Sequence, residues 1–322
     1  DHRDLHSFPT RRSSDLDLYT GSYISLPQPT ADAIMRQVWP EFTDYADVVV
    51  TPSASVRDVM LEFGVRRPIE VIENGVDLRP FHHPTQPLTK TDLGVPETAV
   101  LVTYIGRLSP EKDVDILLEQ FAIAKDVVPN LHLMIMGQGA ARPDLERLAR
   151  QLGIADSVLF TGPVAYDQVS NYLAAADLFA TASVTEVHPL TVIEAMAAGL
   201  PVVAIASPGI SDTVVSGESG LLTTKPEGGL AAALVGLASN DTRRQQMAQA
   251  AHCASKRFDI THTVQRTVAL YERLREERPD LKRKKLHGRR IFDSERLKPV
   301  VDQLGKLLWP AEKDLSSRRW FL

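Results

Sequence analysis

The chain has 322 residues, 43% of them hydrophobic and 24% charged, enough for one large domain or two medium ones. Its formal net charge of -5 argues against a nucleic-acid partner, which leaves a basic footprint. A single cysteine, Cys253, excludes an intrachain disulfide, and no apolar run reaches the roughly 18 residues of a membrane span, so a cytoplasmic protein is expected.

His6–Leu16 reads HSFPTRRSSDL, polar and without periodicity, and it looks like a translated sequencing-library adapter. Residues 1–16 are therefore set aside as a scar, on which reading the gene continues upstream and the chain is a fragment. The alternative is a natural disordered arm. Residues 17–45, with Pro27, Pro29 and Pro40 as breakers, read as loop and short helix. The β-branched run Ala46–Val50, closed by Thr51-Pro52-Ser53, reads as a buried strand. Ser53 is placed to cap a helix through Phe63, with Val56, Val59, Met60 and Phe63 on one face and Gly64 beyond its end. Pro68–Ile72 is a second strand, and Asn74-Gly75 after it is a turn signal. Residues 17–80 are expected to be the remnant of a first domain. Residues 81–97, rich in His, Pro and Thr, are expected to be a linker.

From residue 98 the pattern is regular. Strands are expected at Val100–Ile105, Leu131–Met136, Val158–Phe160, Leu178–Ala182 and Pro201–Ile205. Helices fall between them at Asp113–Ala124, Pro143–Leu152, Tyr166–Ala175 and Leu190–Ala198. Such alternation implies an α/β fold, a doubly wound parallel sheet covered on both faces, here over residues 98–260. Domains of this kind bind ligands beyond the carboxyl ends of their strands, so the strand-to-helix loops are where chemistry belongs. Residues 261–322 read as a C-terminal helix, Thr263–Glu277, followed by a basic amphipathic tail.

Three loops stand out. Gly106-Arg107-Leu108-Ser109-Pro110-Glu111-Lys112 follows a strand and opens a helix, so a glycine and two cations precede a helix N-terminus that itself favours anions. That suits a diphosphate; the alternative is two solvated surface charges. Gly137-Gln138-Gly139-Ala140 also follows a strand, but Arg142 stands where a dinucleotide fingerprint needs a third glycine, so it reads as a tight turn lining a site. The third loop begins at Ser183 and runs through Glu186, His188 and Pro189 into a helix bearing Glu194. A carboxylate among the apolar neighbours of Glu194 is costly to bury without hydrogen bonds, which ribose hydroxyls could supply. Glu186 could meet a hexose, and the amides of Leu190 and Thr191 point from the helix N-terminus toward a phosphate. The alternative is two unrelated surface glutamates.

The spacing from Glu186 to Glu194, followed by Ala-Met-Ala-Ala-Gly-Leu-Pro-Val-Val, resembles the signature of family-four retaining glycosyltransferases. Gly106-Arg107 through Glu111-Lys112, Gly137-Gln138-Gly139, Ile72 through Asp77, Ser207-Pro208-Gly209 and Gly217 through Leu222 fit the same pattern. The resemblance covers roughly residues 45–275 and implies the GT-B fold of two Rossmann-like domains. It implies a hexosyltransferase that takes a hexose from a nucleotide-diphosphate sugar, UDP- or GDP-linked, with no metal or other cofactor. Arg107 and Lys112 would hold the diphosphate, Glu194 the ribose, and Glu186 the donor sugar or the reacting centre. The loop near Phe160, Thr161 and Gly162 would lie against the base, and His188 sits beside the site. Retention would follow by front-face transfer, a phosphate oxygen helping to deprotonate the acceptor. Pro189 stands where the family usually has glycine, and Glu73 where it usually has proline. The first domain's glycine-rich loop and sugar-contacting histidine have no counterpart here, so donor binding without efficient transfer is expected.

The acceptor is expected to be a lipid or a glycan. The Thr-Glu-x-His-Pro-Leu-Thr stretch somewhat resembles that of diacylglycerol glucosyltransferases, and Lys282–Arg290 with Leu297–Trp309 could rest on an anionic membrane, on its inner face. The alternative is a helix packed on its own protein beside a solvated charge run. Two further readings are a nucleotide-sugar-binding module without catalysis and a nucleotide-sugar epimerase of the same architecture.

Overall fold

The computed structural model describes residues 28–224 and 228–277. The expected scar at 1–16 and the basic amphipathic stretch at 282–309 lie outside them. One compact unit extends to Leu270.

The first described element is a helix, α1 (Gln28–Thr43), where loop and short helix were expected. Pro29 falls in its first turn, where a missing N–H costs nothing. Pro40 falls in its last, where the Thr43 hydroxyl donates to Trp39 O at 2.7 Å and Trp39 packs edge-on to Phe63. The strand expected at 46–50 is shorter and later, β1 (Val49–Thr51), and it is not wholly buried. Among the described residues its one strand partner is β2 (Ile69–Val71), and Val50 is exposed. Between them α2 (Ala54–Glu62) begins as the sequence implies, with the Ser53 hydroxyl accepting from Val56 N at 3.4 Å.

Asn74-Gly75 makes no turn, contrary to expectation, and Gly75 lacks a positive φ. Glycine is required there because a Cβ would lie 2.6 Å from Ile260 Cα in the last helix. The expected linker is packed rather than free. It contains a helical turn, α3 (Arg79–His82), and a 3-10 turn at Thr91–Leu93, and it buries Phe81 and Val95.

The main sheet has six parallel strands in the order β5-β4-β3-β6-β7-β8. They are β3 (Val100–Ile105), β4 (Leu131–Met136), β5 (Val158–Gly162), β6 (Leu178–Thr181), β7 (Val202–Ile205) and β8 (Gly220–Thr223). Alternate residues face opposite layers. Val102, Tyr104, Leu133 and Ile135 join one core with α4 (Val114–Val127), α5 (Arg142–Gln151) and α9 (Gly229–Ala238). Leu101, Met134, Phe179 and Val202 join the other, with α6 (Tyr166–Leu173), α7 (Leu190–Ala197) and α8 (Pro208–Thr213). Burial on both faces is why the strands read as unbroken apolar runs.

A long helix, α10 (Asp241–Ser255), and α11 (Ile260–Glu277) complete the described chain. The chain passes twice between the β1–β2 pair and the main sheet, once at residues 72–76 and once at 256–260. The two passages are tied together, Val76 N donating to Phe258 O at 2.9 Å and Ile260 N to Val76 O at 3.0 Å. Glu73, the departure noted in the sequence, makes an ion pair with Arg266 of α11 at 2.7 Å.

Candidate functional site

The order of the sheet reverses between β3 and β6, whose loops leave its carboxyl edge side by side. This is the crevice where open α/β sheets bind ligands. The loops after β3 and β4 fit together main chain to main chain. Gly106 N donates to Met136 O and Leu108 N to Gln138 O, each at 3.0 Å. A Cβ on Gly137, which has φ +145°, would lie 1.9 Å from Gly106 O, and one on Gly139 would lie 2.0 Å from Leu108 O. The Gly-Gln-Gly segment is thus packed main chain against main chain, and the turn itself lies at Gly139–Arg142, where Arg142 N donates to Gly139 O at 3.2 Å.

The β3 loop does not lead straight into a helix. A 3-10 turn, Pro110–Lys112, intervenes, and Asp113 at φ +50° joins it to α4. The turn lets Lys112 reach sideways rather than along the α4 axis, and its Nζ lies 2.8 Å from Glu186 Oε1. A second tie is the Thr185 hydroxyl, which donates to Glu111 O at 3.2 Å. Arg107 is 60% exposed, with Nη2 3.5 Å from Glu111 Oε1. The Ser109 hydroxyl, donating to Glu111 Oε1 at 2.6 Å, holds that carboxyl below its ordinary range. Burial pushes the Tyr104 hydroxyl up, and the charges of Glu186 and Glu111 add to it.

In the loop after β6, Glu186 O accepts from Gly209 N at 3.2 Å, which anchors the loop to α8. The His188 ring turns toward the double passage and meets Phe258 edge-on at 5.6 Å. Pro189 caps α7 through its carbonyl, which accepts from Val192 N and Ile193 N. Leu190 and Thr191 are therefore the first-turn residues whose amides precede the helical ladder. Glu194 is the fifth residue of α7 and is 6% exposed. Burial raises its pKa to about 7, although the Tyr166 hydroxyl donates a hydrogen bond to it.

A cleft of about 890 Å³ opens beside these loops, lined by Gly106, Arg107, Gly137, Gly139, Arg142 and Val164 among others. Phe160 does not contribute its ring. It lies within β5, and the Arg142 guanidinium sits 5.9 Å from its centroid. Gly162 O accepts from Gly137 N at 2.9 Å, and the following Pro163 and Val164 form that wall. Arg142 lines this cleft and Tyr166 bonds to Glu194, and neither was among the expected site residues. Each opens a helix that follows a strand at the carboxyl edge, and that position was the available signal. Among the described residues no group of three or more His, Cys, Asp and Glu side chains could hold a metal ion.

The family model for group 1 glycosyl transferases matches residues 86–252, and that for glycosyltransferase family 4 matches residues 13–79. The D-inositol 3-phosphate glycosyltransferase of Mycolicibacterium smegmatis is 35% identical over 255 residues, covering 77% of this chain and 57% of that protein. The alpha-monoglucosyldiacylglycerol synthase of Streptococcus pneumoniae is 32% identical over 178 residues, covering 54% of this chain and 40% of that protein. The chain spans about half the length of the curated relatives it matches. Among solved structures, Anabaena HepE in complex with UDP and glucose superposes with a TM-score of 0.66 at 26% identity, over 75% of this chain and 67% of that one. Sucrose-phosphate synthase from Thermosynechococcus elongatus has a TM-score of 0.69 at 23% identity, over 80% of this chain and 65% of that one, and shares the fold.

Proposed function

This chain belongs to the group 1 glycosyltransferases and has their GT-B type of fold, and from that premise we propose that it binds a UDP-hexose and serves its retaining transfer to the hydroxyl of a lipid or glycan acceptor. The observation that carries the reading is the Lys112–Glu186 pair, which joins the β3 and β6 loops at the switch point beside the cleft. UDP is favoured over GDP because HepE, a structural neighbour at 26% identity, is a complex with UDP.

In this reading Arg107 and Lys112 face the diphosphate and offset the charge that develops on the departing phosphate, the kind of electrostatic term that usually dominates catalysis. The amides of Leu190 and Thr191 add donors without added charge. Gly106, Gly137 and Gly139 allow the phosphates to approach the main chain. Glu194 accepts from the ribose hydroxyls, and Glu186, held in place by Lys112, accepts from the hexose. The base lies on the wall formed by Pro163 and Val164, next to Gly162 and flanked by Arg142, with the Phe160 ring beneath the guanidinium.

Calorimetric titration with UDP, GDP and ADP tests the donor half. Micromolar UDP binding, lost in the Arg107→Ala/Lys112→Ala variant, supports the reading; absence of binding to all three nucleotides rejects it. Incubation with UDP-glucose and either diacylglycerol vesicles or inositol 3-phosphate tests the acceptor. UDP-glucose recovered intact, with neither a glycosylated product nor free glucose in either reaction, would favour the non-catalytic reading of this chain.

A further inference from the structure

His188 lies two residues beyond Glu186, yet its surroundings belong to another part of the fold. Both ring nitrogens are buried, and among the described residues neither has a hydrogen-bond partner. The ring stands on Phe258, 5.6 Å between centroids, and the Arg257 guanidinium lies 4.4 Å from that same Phe258 ring. The charges that act on it are those of Glu73, Asp212 and Arg257. Glu73 sits on the first passage between the β1–β2 pair and the main sheet, and Arg257 and Phe258 on the second. Asp212 sits on α8, where its carboxylate accepts from Ser55 N and the Ser55 hydroxyl of α2, and Arg257 donates to its carbonyl. Gly209 N, at the other end of α8, holds Glu186 O. The ring therefore stands where the Glu186 loop, α8 and both passages meet.

We infer that His188 is a positioning residue: its neutral ring wedges the Glu186 loop against the double passage, and its protonation releases both. The inference rests on the donor reading for its effect on ligand, but not for its effect on the passage. The physical reason is that a charged imidazole with no partner is costly in a buried place. Glu73 and Asp212 favour the proton, while burial and Arg257 oppose it, and burial is the largest influence, so the ring titrates below the ordinary histidine range. At neutral pH the wedge is in place, and acid removes it.

Two measurements on the full chain test this. Hydrogen exchange at the Val76 and Ile260 amides, which tie the passages, reads the wedge without ligand. Between about pH 7.5 and about pH 5.5, after correction for intrinsic rates, protection in the wild type falls about fivefold, and in His188→Phe it stays level. UDP affinity over the same range falls about fivefold more in the wild type than in His188→Phe, the variant reporting the ligand's own phosphate titration. His188→Ala, which removes the wedge, binds UDP weakly at every pH, and His188→Phe restores neutral-pH affinity. Parallel exchange curves in wild type and His188→Phe overturn the inference. Level exchange in His188→Phe with no UDP binding by the wild type leaves the wedge standing and rejects the donor reading instead.

Discussion

Lys112 Nζ stands 2.8 Å from Glu186 Oε1 and so joins the loops after β3 and β6 where the strand order reverses. Each member of the pair positions the other while both are about one-fifth exposed. Lys112→Ala and Glu186→Ala are each expected to weaken UDP binding about tenfold. Because either change already breaks the pair, the double variant should lose less than the product of the two. Calorimetry of the four proteins measures this, and strict multiplicativity would show two independent side chains.

Gly137→Ala and Gly199→Ala separate two reasons for needing glycine. Both positions have positive φ, but a Cβ on Gly137 meets Gly106 O at 1.9 Å, whereas one on Gly199 meets nothing within 4 Å. Gly199→Ala should cost about 1 kcal/mol from backbone strain alone. Gly137→Ala should cost at least about 3 kcal/mol and abolish UDP binding, since main chain cannot step aside. Equal losses in chemical denaturation would mean that the contact between the two loops is not what demands glycine.

Glu194 makes stability depend on pH. Its folded pKa of about 7 lies above the ordinary 4.5, so the folded state holds a proton that the unfolded state has released. Its contribution is fully present below about pH 4.5 and is lost as pH rises through about 7. Glu194→Gln should therefore melt higher than wild type at about pH 8 and show no such gain at about pH 4. At about pH 8, where the carboxyl is ionised, the same change should weaken UDP binding about tenfold, because an amide is a poorer acceptor for ribose hydroxyls than a carboxylate. A variant that melts at the wild-type temperature across the whole range would show that this carboxyl is not held neutral by burial.

Asp177 supplies a control at the opposite edge of the sheet. Its Oδ2 accepts from Leu101 N at 2.7 Å and from Lys90 Nζ at 2.8 Å, fixing the packed segment before β3 to the start of β6. Asp177→Ala should cost about 2 kcal/mol, as it leaves the Leu101 amide unsatisfied and removes the counter-charge of the Lys90 ammonium, which still donates to Ala99 O at 2.8 Å. UDP affinity should not change. A matching loss of affinity would show that the two edges of the sheet are coupled.

The sheet was legible because its strands are buried on both sides. Val100–Ile105 and Leu131–Met136 have the same bounds in sequence and in structure. Residues 207–258 were not resolved into elements, for two opposite reasons. α9 is apolar on most of its surface, and α10 buries only Met247, Ala251 and Ser255, so neither shows a clean stripe. β1 was misread because a β-branched run signals strand but not how many neighbours the strand finds. At the candidate site, spacing singled out the glycines and the two glutamates. It could not reveal that Lys112 turns toward Glu186, or that His188 turns away from the cleft to Phe258. Side-chain direction there depends on the 3-10 turn and on the passage at 256–260, which lie far apart in sequence.

The fit between the loops after β3 and β4 also bears on how such a chain can diverge. A contact made of carbonyls and Cα hydrogens offers point substitution nothing to vary, since any added carbon collides with Gly106 O or Leu108 O. Only an insertion or deletion, which shifts both backbones together, can remodel that floor. Arg142 and Val164, on the cleft's other wall, carry side chains that can be exchanged one at a time. Change in what the cleft accepts is thereby channelled into α5 and the segment before α6, and a lineage can explore new ligands there while inheriting the floor intact.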